Sequence, residues 1–172
     1  IDIMDQDLQR IITNDEKMYD IIVDRLKEEN KEIKVEIQED ILSMYNLKKQ
    51  LEELQNRKVW LKCGGFITID KTEALTAIDV NSGKYTGKKD LEQTIFTVNK
   101  EATIEIAKQL RLRDIGGIII IDYIDMKDKE NEEKIIQLLE ENLKKDRSKT
   151  QIVGFSKLNL LEMTRKHMCS ND

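Results

Sequence analysis

Proline is absent from all 172 residues. Turns must therefore rest on Gly, Asn and Asp, and no Pro-rich linker divides the chain. Cysteine and histidine are nearly as scarce, with Cys63, Cys169 and His167 forming the complete set. They make no C-x-x-C pair and fall short of the four N or S ligands that a structural zinc wants, so zinc is not expected here. The two thiols read as unpaired in a reducing cytoplasm, the expected location. No apolar run exceeds Ile118–Ile121, far below the roughly 18 to 20 residues that cross a bilayer, and no membrane span is expected. Ile1 opens straight onto charged residues, so no signal peptide is read. A first residue other than Met fits a piece cut from a longer protein.

What remains is a chain long enough for one ordinary domain or two small ones. Hydrophobic residues make up 39% and charged residues 37%, which allows a packed core under a densely charged surface. A net charge of −5 argues against a general nucleic-acid glue. Its distribution is uneven. Residues 1–56 hold 15 acidic and 8 basic side chains, a net of −7, leaving +2 for residues 57–172. Within residues 144–168, Lys144, Lys145, Arg147, Lys149, Lys157, Arg165 and Lys166 face only Asp146 and Glu162, a local +5. Such a cluster suits a polyanion, and equally a solvated charged face.

Apolar spacing divides the chain into elements. Asp15 caps a helix through Met18, Tyr19, Ile22, Val23 and Leu26. Ile33, Val35 and Ile37 alternate as in a half-buried strand, and Leu47, Leu51 and Leu54 mark a second helix whose stripe should face a core. The character changes at Val59. Val59–Leu61 and Phe66–Ile69 flank Gly64-Gly65 as a hairpin, and Leu75 to Val80 reads as a strand broken by Asn81-Ser82-Gly83. Asp90 with Gln93 resembles a capping box opening a helix through Ile95, Val98, Ala102, Ile106 and Leu110, closed near Gly116-Gly117. The four isoleucines 118–121 then read as a strand buried on both faces. A helix through Ile135, Leu139 and Leu143 follows, then a strand at Gln151–Val153 and a last element around Leu160–Thr164. This alternation predicts a layered α/β (α+β) domain with a mixed sheet and flanking helices over 57–172, preceded by a small α/β segment over 1–56.

Two aspartates stand at comparable places. Asp79 lies where a strand runs into a Gly-containing turn, and Asp122 follows the four isoleucines. A carboxylate at the end of a buried strand is costly unless a cation or hydrogen bonds compensate it. Neighbouring strands of one sheet would bring the two together. With little His or Cys nearby, the pair suits a hard oxygen-seeking ion such as Mg²⁺. Asn81, two residues beyond Asp79, would project to the same side and orient a water or a phosphate oxygen. Carboxylate-held Mg²⁺ implies phosphoryl chemistry, by activating water and by stabilising charge on phosphate oxygens. Lys84, Lys88, Arg111 and Arg113 are the basic side chains near these residues in sequence. Each has a plainer reading. Asp79 suits turn capping, Asp122 and Asp125 suit capping of the next helix, and Arg111 and Arg113 suit the negative end of a helix dipole.

At these residues a likeness emerges. Val59-Trp60-Leu61-Lys62-Cys63-Gly64-Gly65, the stretch from Thr72 through Asp79 to Gly83, and Asn99-Lys100-Glu101-Ala102 resemble the ribonuclease E/G family. So do the stretch from Gln109 through Asp122 to Met126 and Leu161-Glu162-Met163-Thr164-Arg165-Lys166. The likeness is dense over 57–168 and loose over 1–56, where it corresponds to the end of the ribonuclease H-like or sensor region. It implies a deoxyribonuclease I-like subdomain. It also implies hydrolytic cleavage inside single-stranded RNA, often A/U-rich, in RNA processing and decay, leaving a 5′-phosphate and a 3′-hydroxyl. By motif match, Asp79 and Asp122 correspond to the family's Mg²⁺ ligands, with Mn²⁺ as a substitute, and Asn81 to a residue positioning the scissile phosphate. Lys149 stands where the family often has an Arg near a pocket that senses a 5′-monophosphate. Lys keeps the charge without the planar fork. No counterpart of the family's N-terminal RNA clamp is found, nor of the Cys-Pro-x-Cys zinc link expected after the Thr-Arg-Lys stretch.

The reading is a catalytic segment acting on single-stranded RNA. A non-catalytic RNA-binding or dimerisation module is the alternative. A deoxyribonuclease of the same fold is disfavoured by the motifs, and a homo-oligomer of the full-length protein stays open.

Overall fold

The computed structural model describes residues 8–83 and 91–168. The chain folds as two compact units, Ile1–Glu53 and Leu54–Asp172. In the first, strand β1 (Arg10–Thr13), helix α1 (Glu16–Glu28) and strand β2 (Lys34–Ile37) form a β-α-β unit whose two strands pair in parallel. The Asp15 carboxylate accepts a hydrogen bond from the Met18 N–H at 2.9 Å, satisfying one of the unpaired donors at the start of α1. Two short helices follow, α2 (Ile41–Met44) and α3 (Leu47–Glu53). The expected core-facing stripe of α3 is not found, for none of its residues is buried and Leu51 is exposed. Among the described residues, this helix of 7 residues packs mainly against the 4-residue α2, which offers too little apolar surface to cover a stripe.

The second unit is a mixed α/β layer. Strands β3 (Lys58–Trp60), β4 (Phe66–Lys71), β5 (Leu75–Asn81), β6 (Gly117–Asp122), β7 (Thr150–Phe155) and β8 (Leu161–Arg165) form one sheet in the order β3-β4-β5-β6-β8-β7. Only β5 and β6 run parallel; the other neighbours are antiparallel. Parallel neighbours need a long crossover, and helix α4 (Leu91–Leu112) supplies it. Helix α5 (Lys129–Leu143) joins β6 to β7 and begins at an Asp128 cap. The expected capping residue Asp90 lies outside the described residues.

Burial alternates strictly along β5, with Thr76, Ile78 and Val80 inside and Ala77, Asp79 and Asn81 outside. The inside face packs with Val98, Ala102 and Ile106 of α4 and Ile135 and Leu139 of α5 in one apolar core. Strand β6 obeys the same rule, which corrects the expectation of two-sided burial. Ile119 and Ile121 are fully buried, whereas Ile118 is 50% exposed. Four successive isoleucines imply two covered faces only in a parallel sheet with helices on both sides. Among the described residues, helices cover one face of this sheet.

The basic cluster near the C-terminus also needs correction. The Arg165 side chain is buried, donating to Asp146 at 2.8 Å, to Asp114 at 2.8 Å and to the Ile115 carbonyl at 2.9 Å. It ties β8 to the turns after α4 and α5 and is neutralised there, so it adds nothing to a surface cluster. Removing one member of a buried pair strands the other. Arg165→Ala should cost about 3–5 kcal/mol in urea unfolding, because Asp146 is left as a buried charge. A loss below about 1 kcal/mol would show that water reaches Asp146.

Candidate active site

The parallel register sets Leu75 opposite Ile118 and, four residues on, Asp79 opposite Asp122. The inward side chains on either side of each aspartate decide where it goes. Ile78 and Val80 are buried in the core, so Asp79 must project from the open face. Ile121 is buried, so Asp122 does the same. The structure therefore brings the two aspartates together across adjacent strands, about 5 Å apart at the backbone.

The electrostatics follow from this arrangement. Partial burial pushes the Asp79 carboxyl above its ordinary range, and the facing charge of Asp122 pushes it further. Asp70 acts in the same direction, while Arg57 opposes it. Asp70 itself is held below the usual carboxylate range by Arg57, whose guanidinium donates to it at 2.7 Å. Asp70 is thus committed to an ion pair, whereas among the described residues no cation is ion-paired with Asp79 or Asp122. Two hard oxygen donors on one face suit a cation that takes one or two carboxylates and fills its shell with water and phosphate oxygens. No group of three or more Asp, Glu, His or Cys placed to hold a metal occurs among the described residues. Among the described residues, an ion here could draw on the two carboxylates of Asp79 and Asp122.

Asn81 ends β5 on the same face. Its side-chain oxygen accepts the Gly83 N–H at 2.9 Å, closing a local turn. What Asn81 has to offer a phosphate is therefore its amide N–H₂. The turn is tight: Gly83 has φ +59°, and a Cβ there would stand 2.6 Å from the Gly64 carbonyl oxygen. Only glycine allows the β3–β4 loop and the turn after Asn81 to approach this closely.

Helix α4 anchors the end of β6. The buried Asn99 amide donates to the Ile124 carbonyl at 2.8 Å and its oxygen accepts the Ile124 N–H at 3.2 Å. One turn on, the Thr103 hydroxyl bonds the buried Tyr123 hydroxyl at 2.9 Å. Asp125, next along, accepts from Asn159 at 2.8 Å. Asp122 therefore leads into a segment pinned to the core.

The basic residues named from sequence are dispersed. Lys84 and Lys88 lie outside the described residues. Arg111 in the last turn of α4 and Arg113 just after it precede β6, at the opposite end of that strand from Asp122. Their nearness in sequence is cancelled by the length of β6, and Arg113 is half-buried with Nε donating to Gln109 at 2.6 Å. Neither joins the aspartates. Lys149 is also at that far end, lining a groove of about 360 Å³ with Ile118, Gln151 and Lys166. Conversely, Lys58, Trp60, Phe66 and Thr68 share the open face with Asp79, through the register Trp60–Phe66–Asn81 and Lys58–Thr68–Asp79. Period-two spacing at Lys58 and Trp60 is the signal that could have singled them out.

The Ribonuclease E/G family model matches residues 1–168. The chain belongs to the ribonuclease E/G family. It is 42% identical over 170 residues to Ribonuclease G of Salmonella typhimurium (strain SL1344), covering 96% of this chain and 35% of that protein. Ribonuclease G of Haemophilus influenzae is 47% identical over 126 residues, 73% of this chain and 26% of its own length. Ribonuclease E of Escherichia coli (strain K12) is 46% identical over 128 residues, 74% of this chain and 12% of its own. This family member thus spans about a third or less of the relatives it matches.

A raised carboxyl pKa means that the folded state disfavours ionised Asp79. That penalty is complete above the folded-state pKa and vanishes as pH falls below the unfolded value. Asp79→Asn should therefore melt higher than the unaltered chain at pH 7 without divalent cations, by about 2 °C. The difference should shrink as both are acidified through the carboxylate range. A lower melting temperature at pH 7 would contradict the repulsion.

Proposed function

We propose that this chain is the catalytic segment of a Mg²⁺-dependent endoribonuclease that hydrolyses single-stranded, often A/U-rich RNA in the cytoplasm. Its second unit is a deoxyribonuclease I-like subdomain in this reading, and residues 1–56 are the end of a ribonuclease H-like or sensor region. The observation that carries the proposal is the pairing of Asp79 with Asp122 on an open sheet face, with Asn81 two residues along. Membership of a family whose relatives are named ribonucleases supports RNA as the substrate.

Asp79 and Asp122 would hold the Mg²⁺, with Mn²⁺ as a substitute. The cation supplies positive charge against the phosphate under attack. The chain's own residues do the rest. The Asn81 amide donates to a non-bridging phosphate oxygen and fixes the phosphodiester over the carboxylate pair. The Asn99 and Thr103 anchors keep Asp122 from drifting as the substrate binds. Water adds across the P–O3′ bond: its oxygen stays on phosphorus as the 5′-phosphate, and the 3′ oxygen leaves with a proton as a hydroxyl. Lys149 and the groove beside it offer a cation for a more distant phosphate.

The test incubates residues 1–172 with a 5′-labelled A/U-rich RNA, with Mg²⁺, with Mn²⁺ and with a chelator. Cleavage with either ion, its loss in chelator, and products ending in 5′-phosphate and 3′-hydroxyl are expected. Asp79→Asn and Asp122→Asn should each slow cleavage at least about a hundredfold, the scale of losing one preorganised electrostatic stabiliser, with unchanged circular dichroism. Undiminished cleavage in either variant would remove the carboxylate pair from the chemistry. RNA binding without turnover under every condition would favour a binding module instead.

A further inference from the structure

Resting on the reading of the carboxylate pair as an RNA-cleaving centre, we infer that Lys58, Trp60 and Phe66 form a base-stacking subsite for the RNA strand beside it. These residues lie on β3 and β4, at the edge of the face that carries Asp79 and Asn81. Cross-strand partners share a face, so Trp60, Phe66 and Asn81 form one row and Lys58, Thr68, Asp79 and Asp122 the next. Phe66 on β4 is one strand spacing, about 5 Å, from β5, and Trp60 on β3 is two, about 10 Å. A strand of RNA with a phosphate over the aspartates can place a nearby base on that edge.

The chemistry of the patch selects the occupant. Trp60 is the chain's single tryptophan and is 64% exposed, although the covered face of the same strand offers burial at Val59. Its ring meets Phe66 edge-on, with centroids 5.3 Å apart and planes at 64°. The Lys58 ammonium sits 3.9 Å from the Trp60 centroid and 3.6 Å from that of Phe66. The rings are therefore held in place before any ligand arrives, which lowers the cost of ordering them. An exposed indole with a cation beside it matches a nucleotide in both its parts. The base stacks on the ring, and the phosphate meets the ammonium. A purely apolar partner would leave Lys58 without an anion to meet. Stacking tolerates any base, so the subsite adds affinity and position rather than a sequence code.

The single tryptophan reports on its own surroundings. Titrating the chain with a single-stranded A/U RNA hexamer, without divalent cation, should quench Trp60 fluorescence. Inorganic polyphosphate, which has the charge and no bases, should not. With Mg²⁺ and the same RNA, Trp60→Ala should raise KM about tenfold and leave kcat within about twofold, and Trp60→Phe should recover most of the loss. RNA binding seen by anisotropy with no change in Trp60 fluorescence would overturn the subsite while leaving the nuclease reading intact. Equal quenching by polyphosphate would also overturn it, by reducing the patch to charge. Quenching by RNA without cleavage under any metal condition would support the subsite and sink the nuclease reading. Absence of any RNA binding would sink both.

Discussion

The parallel pairing of β5 with β6 forces two carboxylates side by side, and the geometry of the site depends on that constraint. Left to themselves, two like charges at this separation would move apart. They cannot, because each is flanked by side chains the core will not release. Burial of an isoleucine stabilises a fold by about 1.5–3 kcal/mol. Ile78, Ile119 and Ile121 are all buried within one position of an aspartate or along the same two strands. Their summed contribution exceeds what a solvent-screened repulsion at the surface can oppose. The fold thus holds its carboxylates in an unfavourable arrangement that a cation would relieve.

Helix α4 has a second task beyond covering the sheet. Glu101, on one side of it, accepts the Cys63 N–H at 2.9 Å and holds the β3–β4 loop. Asn99, two residues earlier, holds the segment after Asp122. One helix therefore fixes the loops at both ends of the candidate site. The β3–β4 loop in turn abuts the Asn81–Gly83 turn, through the contact that only glycine permits. Position thus passes from one helix to the loop beside Asn81 and to the segment after Asp122.

Strand and helix periods were legible because each is a local consequence of which side chains are apolar. Asp79 and Asp122 stood out as charges at the ends of apolar strands, and their meeting needed only that the two strands be neighbours. Other features are products of the tertiary arrangement. Whether Ile118 is covered depends on how many layers pack on the sheet, a matter the run of isoleucines cannot report. Arg165 looked like one cation among seven, and only the fold reveals Asp146 and Asp114 converging on it. Arg111 and Arg113 were close to Asp122 in sequence, but the six residues of β6 carry the chain away from them. The pairing of Trp60 with Phe66 rests on hairpin register, and a slip of β3 by one residue would have turned the Trp60 ring to the covered face.

The open face then divides its labour by charge. Its centre is acidic, so a nucleic-acid backbone is repelled there unless a divalent cation intervenes. Its edge at β3 and β4 is aromatic and cationic, attractive to a nucleotide whether or not the centre is filled. In the proposed reading, affinity and chemistry would fall on neighbouring strands instead of the same atoms. A site built on two carboxylates alone would lose both together when the cation leaves. In the proposed reading, stacking residues one and two strands from Asp79 would keep RNA in reach while a metal exchanges.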